Sequence, residues 1–304
     1  MTVIEVKNLT KRYGILKAVD GLSLSVAKGE IFGMLGPNGA GKSTTFEIIV
    51  GILRRDSGDV KVLGVDPQKQ PEAVKSRIGV QLQAAQTFRK LTVRETLKLF
   101  AGFYPNPLPV DEIIAQVGLA EKKNSRVETL SGGQMQRLSV AIAMISNGEI
   151  IFLDEPTAGL DPQARRDLWG SIIELKNSGK TVFLTTHFME EAQKLCDRVA
   201  IIDYGKIVAL ETPQELITAH FQEMSLEIVQ PELRNETKLR ELTSVTEVIE
   251  LNDHTVLRTP NLTATIQELS ALAKALGIKL DDFRIRQANL EDVFLKLTGR
   301  RIRQ

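Results

Sequence analysis

Short runs of apolar residues that end in polar residues dominate the first two thirds of the chain. The run Ile31–Leu35 leads into a glycine-rich loop and then a helical pattern over Lys42–Leu53. The runs Ile150–Leu153 and Thr181–Leu184 also end in polar residues. Nearly continuous apolar strands separated by helices predict a parallel sheet that is covered on both faces, with a site along its carboxyl edge.

A helical region interrupts this pattern of strands. Val93–Gly118 shows mostly helical periodicity, broken by Pro105, Pro107 and Pro109, and a long apolar-periodic helix over Met135–Ile145 follows. Alternating segments at the N-terminus predict further strands. We therefore predict an α/β domain over residues 1–220, a mixed sheet core with a helical subdomain inserted at about residues 88–145.

The pattern changes near Pro213, and a different order of elements follows His220. We predict strands and helices in the order strand, helix, strand, strand, helix, strand, over residues 225–229, 232–242, 245–251, 255–258, 263–276 and 282–286. This order is that of a split βαβ, ferredoxin-like unit. With a last amphipathic helix over Leu290–Leu297, it predicts a small α+β domain at residues 221–304.

Composition narrows the class of protein. The 304 residues are 42% hydrophobic and 25% charged with a net charge of +1, which indicates a globular protein without a basic surface for nucleic acid. The single cysteine, Cys196, excludes an internal disulfide and is predicted to be buried. No apolar run approaches the ~20 residues that a membrane helix needs, and no signal peptide is apparent. The basic tail Arg300, Arg301 and Arg303 is predicted to be solvated.

The loop after the first buried strand carries the first candidate chemistry. It fits the phosphate-loop pattern at every required position: Gly36, Pro37, Asn38, Gly39, Ala40, Gly41, Lys42, Ser43 and Thr44. Glycines let consecutive backbone N–H groups turn toward a phosphate, and the helix that starts at Lys42 points its positive end there. Lys42 is predicted to reach the β- and γ-phosphates, and the Ser43 hydroxyl to ligate Mg²⁺.

Two adjacent carboxylates follow the buried strand Ile150–Leu153. Successive strand residues point to opposite sides, so Asp154 and Glu155 are predicted to have different roles. Asp154 is placed to hold Mg²⁺, and Glu155 to polarise the water that attacks the γ-phosphate.

The segment Leu130-Ser131-Gly132-Gly133-Gln134 precedes the long helix, with Ser131 as a suitable N-cap. It resembles the signature of ATP-binding cassette (ABC) proteins. The remaining motifs of that family occur in the same order over residues 1–220: Tyr13, Gln83, Asp161 in Ala158-Gly159-Leu160-Asp161-Pro162, and His187.

The resemblance implies a role for each of these residues. Tyr13 would stack on adenine, Gln83 would sense the γ-phosphate and Mg²⁺, Asp161 would lie near a partner subunit, and His187 would contact the γ-phosphate. Gln81 is a rival for the sensing role, because only the spacing to Leu91 favours Gln83.

The resemblance also implies partners. Each ATP would be held by the phosphate loop of one copy and Ser131, Gly133 and Gln134 of a second copy or a paralogous ATPase. The ending around Asn289–Arg300 looks like that of exporter ATPases whose membrane permease is a separate chain, which implies a location at the cytoplasmic face of the membrane. Phe88 and Phe103 are candidate permease contacts. The alternative is a soluble ABC ATPase that acts on ribosomes or DNA.

Overall fold

The computed structural model describes residues 1–83, 88–221, 224–229, 236–250, 254–280, 283–286 and 288–299. The chain folds into two compact units, Met1–Pro213 and Gln214–Arg301. The division therefore falls at Pro213, where the sequence pattern changes, whereas the predicted domains meet at residue 220. The basic tail lies outside the described residues.

Two sheets organise the first unit. Its strands are β1 (Thr2–Tyr13), β2 (Leu16–Ala27), β3 (Ile31–Leu35), β4 (Ser57–Val62), β5 (Ile78–Gln81), β6 (Ile150–Asp154), β7 (Thr181–Thr186), β8 (Arg198–Asp203) and β9 (Lys206–Glu211). Its helices are α1 (Lys42–Ile49), α2 (Pro71–Lys75), α3 (Val93–Ala101), α4 (Val110–Gln116), α5 (Gly132–Ile145), α6 (Pro162–Asn177) and α7 (Met189–Leu195).

The larger sheet has the strand order β5-β6-β7-β3-β8-β9. Neighbours from β5 to β8 are parallel, and β9 closes one edge antiparallel to β8. Strands β3, β6 and β7 are buried along their whole length, as their apolar runs predict. The carboxyl ends of β3, β6 and β7 therefore meet at one edge, which is where the phosphate loop, Asp154 and His187 follow.

A separate antiparallel sheet has the order β2-β1-β4. Its strands alternate buried and exposed positions, so one face packs inward. Between the sheets, Phe46 of α1 contacts Phe152 edge-on at 5.8 Å between ring centroids and lies 6.2 Å from Phe183. Helix α1 is thus fixed by apolar packing. It ends at Ile49, before Gly51 adopts a left-handed φ of 82°, so the prediction of a helix to Leu53 was wrong.

The predicted helical region is observed as α3, α4 and α5, joined by 3-10 turns at Ala120–Lys122 and Val127–Thr129. Helix α5 begins at Gly132, three residues before the predicted Met135, because Ser131 and Gln134 form a capping box. It lies directly on β5, where a Cβ at Gly79 would be 2.1 Å from the carbonyl oxygen of Ala143. Only glycine permits this close approach.

The second unit contains α8 (Pro213–His220), β10 (Met224–Ile228), α9 (Glu236–Arg240), β11 (Glu247–Glu250), β12 (Thr255–Thr259), α10 (Leu262–Ala275), β13 (Phe283–Arg286) and α11 (Leu290–Thr298). Its sheet has the order β11-β12-β10-β13, and all neighbours are antiparallel. The order of elements from β10 to β13 is that predicted for a split βαβ unit. Part of the predicted helix 232–242 lies outside the described residues.

The apolar faces of this unit form their own core. Leu226, Ile228, Leu239, Leu257 and Leu269 are buried together. Leu290, Val293 and Phe294 of α11 are buried as their helical spacing predicts. None of the helices in the described part of the chain is long and apolar enough to cross a bilayer.

Candidate functional site

The phosphate loop connects β3 to α1. Gly39 and Gly41 have left-handed φ values of 79° and 101°, which favour glycine. Steric space requires glycine at two positions as well: a Cβ would lie 2.4 Å from the Ile202 carbonyl oxygen at Gly36, and 2.3 Å from that of Ala18 at Gly41. The loop is therefore held open as a concave backbone cradle at the start of a helix, a form suited to an anion.

Lys42 lies across this loop and is only 4% exposed. Its Nζ donates to the carbonyl oxygens of Gly36, at 2.8 Å, and Pro37, at 3.1 Å. The same nitrogen is 3.3 Å from Oε1 of Glu155. Burial lowers the pKa of Lys42, and the carboxylate of Glu155 acts against that shift. The amine is thus fixed inside the cradle, where it can meet a phosphate oxygen.

Asp154 is buried at the last position of β6. Its Oδ1 accepts hydrogen bonds from the hydroxyl of Thr185 and, at 3.5 Å, from the Ser43 hydroxyl. Burial raises the pKa of Asp154, and the bond from Thr185 opposes this. The Ser43 hydroxyl and the Asp154 carboxylate are brought together, as the sequence predicts.

Glu155 follows with a left-handed φ of 49°, which is uncommon outside glycine. Its backbone N–H donates to Thr185 Oγ1 at 3.0 Å, so one threonine hydroxyl holds both acidic residues. This turn directs the side chain into the site, where Oε2 lies 3.1 Å from His187 Nδ1 and accepts from Gln83 Nε2 at 3.4 Å. The bond to His187, and then the charge of Lys42, lower the pKa of Glu155 despite its burial.

Gln81 and Gln83 occupy different environments. Gln81 is buried at the end of β5, where its Nε2 donates to the backbone oxygens of Leu82 and Asp154, at 3.0 and 3.2 Å. Gln83 is exposed, contacts Glu155 and lines the cleft beside the phosphate loop. Of the two glutamines, only Gln83 is placed to meet a ligand in that cleft.

The cleft has a volume of about 400 Å³, within the range of small-molecule sites. Tyr13, which is 49% exposed, forms one side of it. The lining residues are Tyr13, Leu16, Ala18, Asn38, Gly39, Gly41, Lys42, Ser43, Thr44, Gln83 and Glu155. Gly36 and Ala40 are buried behind the loop, and Pro37 contributes its carbonyl oxygen to Lys42.

Ser131, Gly132, Gly133 and Gln134 do not line this cleft. They form the start of α5, with Ser131 and Gly132 exposed and Gly133 and Gln134 half-buried. Ser131 Oγ accepts from the Gln134 N–H at 3.3 Å, and Gln134 Oε1 accepts from the Ser131 N–H at 3.0 Å. Asp161 is also outside the cleft and caps α6, with Oδ1 accepting from the N–H groups of Gln163 and Ala164. These motifs present helix N-termini at the surface of the unit.

Sequence reasoning missed Thr185, which is fully buried at the penultimate position of β7. The available signal was the pair of threonines, Thr185 and Thr186, that ends the strand just before His187. It also missed Ala18 and Leu16, because strand β2 carries no motif that indicates a ligand.

These features define a phosphate-loop nucleoside triphosphatase: the phosphate cradle with its buried lysine, the two acids at the end of β6 and the histidine after β7. Residues 19–158 match the family described as "ABC transporter". The Nod factor export ATP-binding protein I of Ralstonia nicotianae is 38% identical, over 99% of this chain and 95% of its own length. The daunorubicin resistance ATP-binding protein DrrA3 of Streptomyces coeruleorubidus is also 38% identical, over 100% and 98%.

Two solved structures are similar to this chain in fold as well as in sequence. An ATP-binding cassette of an ABC transporter in its ADP conformation has a TM-score of 0.61 and 28% identity, covering 71% of this chain and 92% of its own. A dimeric post-hydrolysis state of another cassette, bound to ADP and Pi, has a TM-score of 0.62 and 27% identity, covering 69% and 98%. The chain belongs to the ATP-binding cassette family, as an ATP-binding protein and ATP hydrolase.

Proposed function

We propose that this chain is the ATPase subunit of an exporter with a separately encoded membrane permease, and that it acts at the cytoplasmic face of the membrane. In this proposal, ATP is held between the cleft of one copy and the exposed start of α5 on a second copy. The observation that carries the proposal is that, within one chain, the start of α5 is separate from the cleft. The cleft contains Lys42, Glu155 and Gln83, whereas Ser131 and Gly133 are not part of it.

The residues in the cleft fit the phosphates and the adenine ring of ATP. The loop N–H groups and Lys42 bind the β- and γ-phosphates, and Tyr13 at the open side of the cleft stacks on adenine.

The donor set suits magnesium. Magnesium binds through one or two carboxylates and the substrate's phosphates rather than through a cage of protein ligands. Within the described residues no group of three or more His, Cys, Asp or Glu could hold a metal, but Ser43 and Asp154 already adjoin in the cleft region. Ser43, Gln83 and Asp154 are the residues that would hold the ion. When bound, the ion neutralises charge on the phosphates.

Glu155 is the general base of the proposed reaction. As an ionised carboxylate it only accepts hydrogen bonds, so His187 Nδ1 carries the hydrogen in their contact. Glu155 accepts the proton of the attacking water, and His187 and Gln83 fix its carboxylate in position. The left-handed backbone at Glu155 is the form of local strain that is often found at catalytic residues.

A second copy completes the site. Ser131, Gly133 and Gln134 of that copy would contact the γ-phosphate, with Asp161 nearby. The capping box already fixes this helix start before any ligand arrives. ATP then stabilises the closed pair, and hydrolysis removes the bridging contact, which shifts the population toward the open state.

Export is supported by the names of the relatives. Besides the two described above, the linearmycin resistance ATP-binding protein LnrL of Bacillus subtilis is 34% identical over 99% of this chain and 100% of its own length. These names refer to export or drug resistance, and they give no support to the alternative of a ribosome- or DNA-directed ATPase. Phe103 and Phe88, which are 72% and 55% exposed, are the proposed permease contacts. Charge reversal at Arg89 and Lys90 should uncouple transport; intact transport would contradict this placement.

The dimer is tested with Glu155→Gln, which keeps the hydrogen-bonding shape but removes the base. With MgATP, gel filtration of this variant should show a dimer, because the ligand is held and not cleaved. The matched variant carries Ser131→Arg in addition, which blocks the exposed helix start without touching the cleft. It should remain monomeric. A dimer in both variants, or a monomer in both, would contradict the head-to-tail arrangement.

A further inference from the structure

The ring of Phe188 connects the proposed catalytic histidine to helix α6. Its centroid lies 4.1 Å from the centroid of the His187 ring. The guanidinium carbon of Arg165 lies 4.0 Å from the centroid of the Phe188 ring. His187 in turn contacts Glu155 at 3.1 Å. Four side chains therefore form a continuous series of contacts from α6 to the proposed base.

The backbone fixes both ends of this series. Phe188 is the N-cap residue of α7, and its N–H donates to Thr186 Oγ1 at 2.9 Å. Arg165 is in the first turn of α6, where its N–H donates to the carbonyl oxygen of Asp161 at 3.0 Å. Asp161 caps the same helix. A displacement of the α6 start would therefore move Arg165 with it.

A second contact holds α6 and α7 together. Glu191 of α7 is fully buried, and its Oε1 accepts a hydrogen bond from Nε1 of Trp169 on α6 at 3.0 Å. Burial raises the pKa of the Glu191 carboxyl, while its hydrogen bonds and the charge of Arg165 act in the opposite direction. Because this bond fixes the spacing of the two helices, Arg165 stays over the Phe188 ring.

His187 itself has few constraints from its own strand. Its side chain is 19% exposed and follows the last residue of β7. A histidine at a strand end can rotate about two side-chain bonds, and a neighbouring ring restricts that rotation by packing. A cation over the ring fixes the ring in turn.

We propose that Phe188 is a positioning residue for His187, and that Arg165 relates the position of the α6 start to it. The inference rests on the proposed role of His187 in hydrolysis.

The test uses the full chain and single-turnover ATP hydrolysis, which follows slow rates over hours. Phe188→Leu should lower the rate about tenfold with ATP affinity changed less than about twofold, because only the geometry of a catalytic group is disturbed. Phe188→Tyr keeps the ring and should stay within about twofold of the natural chain. Arg165→Met should lower the rate about threefold. Arg166→Met is the matched control on the exposed side of α6 and should have no effect.

A double-mutant cycle separates positioning from general structural damage. In a His187→Ala background, Phe188→Leu and Arg165→Met should each cost less than about twofold, since the residue through which they act is gone. If either keeps its full effect there, or if Arg166→Met matches Arg165→Met, the proposal is overturned while the role of His187 stands. If His187→Ala hydrolyses ATP at the natural rate, the role of His187 fails and this inference fails with it. Arg165→Met leaves the ring in place, so the cycle remains decisive should Phe188→Leu not fold.

Discussion

The amine of Lys42 and the carboxylate of Glu155 form a buried ion pair, with 3.3 Å between Nζ and Oε1 and side chains that are 4% and 6% exposed. The charges of the phosphate-loop lysine and of the proposed general base therefore neutralise each other. A phosphate that binds Lys42 competes with Glu155 for the same cation.

Replacement of Lys42 by methionine should remove most activity. The methionine keeps much of the buried length but cannot bind phosphate oxygens, so we expect kcat/KM for ATP to fall at least about hundredfold. Steady-state hydrolysis and binding of a fluorescent ATP analogue would measure the loss. Lys69→Met, at an exposed lysine with a 3.9 Å contact to Asp66, is the matched control and should behave as the natural chain. Comparable losses in both variants would contradict the assignment.

Asp154→Asn should stabilise the nucleotide-free protein while it impairs hydrolysis. Burial raises the pKa of Asp154, so its charged form is less favourable in the folded than in the unfolded chain at neutral pH. An amide of the same shape removes that cost and can still accept from Thr185. We expect Tm without nucleotide to rise by about 2–4 °C and kcat to fall at least about hundredfold. A lower Tm would show that the Thr185 and Ser43 bonds require the charge.

The ionised carboxylate of Glu155 should stabilise the folded chain at neutral pH, whereas that of Asp154 destabilises it. Its neighbours His187 and Lys42 lower its pKa below the ordinary 4.5. A lowered pKa in the folded state means stabilisation that is fully present above 4.5 and is lost as the pH falls through the folded value. Denaturant unfolding of the natural chain and of Glu155→Gln at several pH values measures this. The natural chain should be more stable at neutral pH, and the difference should shrink in acid; a constant difference would contradict the shift.

The two glutamines near β5 should respond differently to truncation. Gln83→Ala removes an exposed side chain in the cleft, so it should lower kcat at least about tenfold and leave Tm nearly unchanged. Gln81→Ala removes two buried hydrogen bonds and leaves a void, so it should lower the free energy of unfolding by about 2 kcal/mol. Thermal unfolding and hydrolysis assays on both variants decide the matter. If Gln81→Ala is as stable as the natural chain, the hydrogen bonds of Gln81 do not stabilise the fold as we expect.

The sequence predicts the parallel core and the phosphate loop well, because local constraints determine both. Ile31–Leu35 is apolar throughout, and Gly41 must adopt a left-handed φ, so these features are visible without tertiary contacts. The order of elements in the second unit is predicted for the same reason. The end of α1 is not, because apolar residues continue the helical pattern to Leu53 while the helix ends at Ile49 and the backbone turns left-handed at Gly51.

Contacts between distant strands account for what the sequence does not reveal. Gln81 and Gln83 would face the same side of a continuous strand, so the choice between them depends on where β5 ends: Gln81 is its last, buried residue, and Gln83 lies beyond it. The bridge of Thr185 to Asp154 and Glu155 joins residues 31 and 30 positions apart, so the local pattern around Thr185 does not indicate its partners. The ion pair of Lys42 with Glu155 likewise depends on how the sheet aligns β3 and β6.

Because Gly79 has no side chain, strand β5 and helix α5 are in direct backbone contact. Strand β5 ends at Gln81, just before Gln83, and the N-cap of helix α5 is Ser131. The proposed γ-phosphate sensor Gln83 and the proposed partner contact at Ser131 are therefore linked through rigid backbone packing, so a tilt of either element would displace the other.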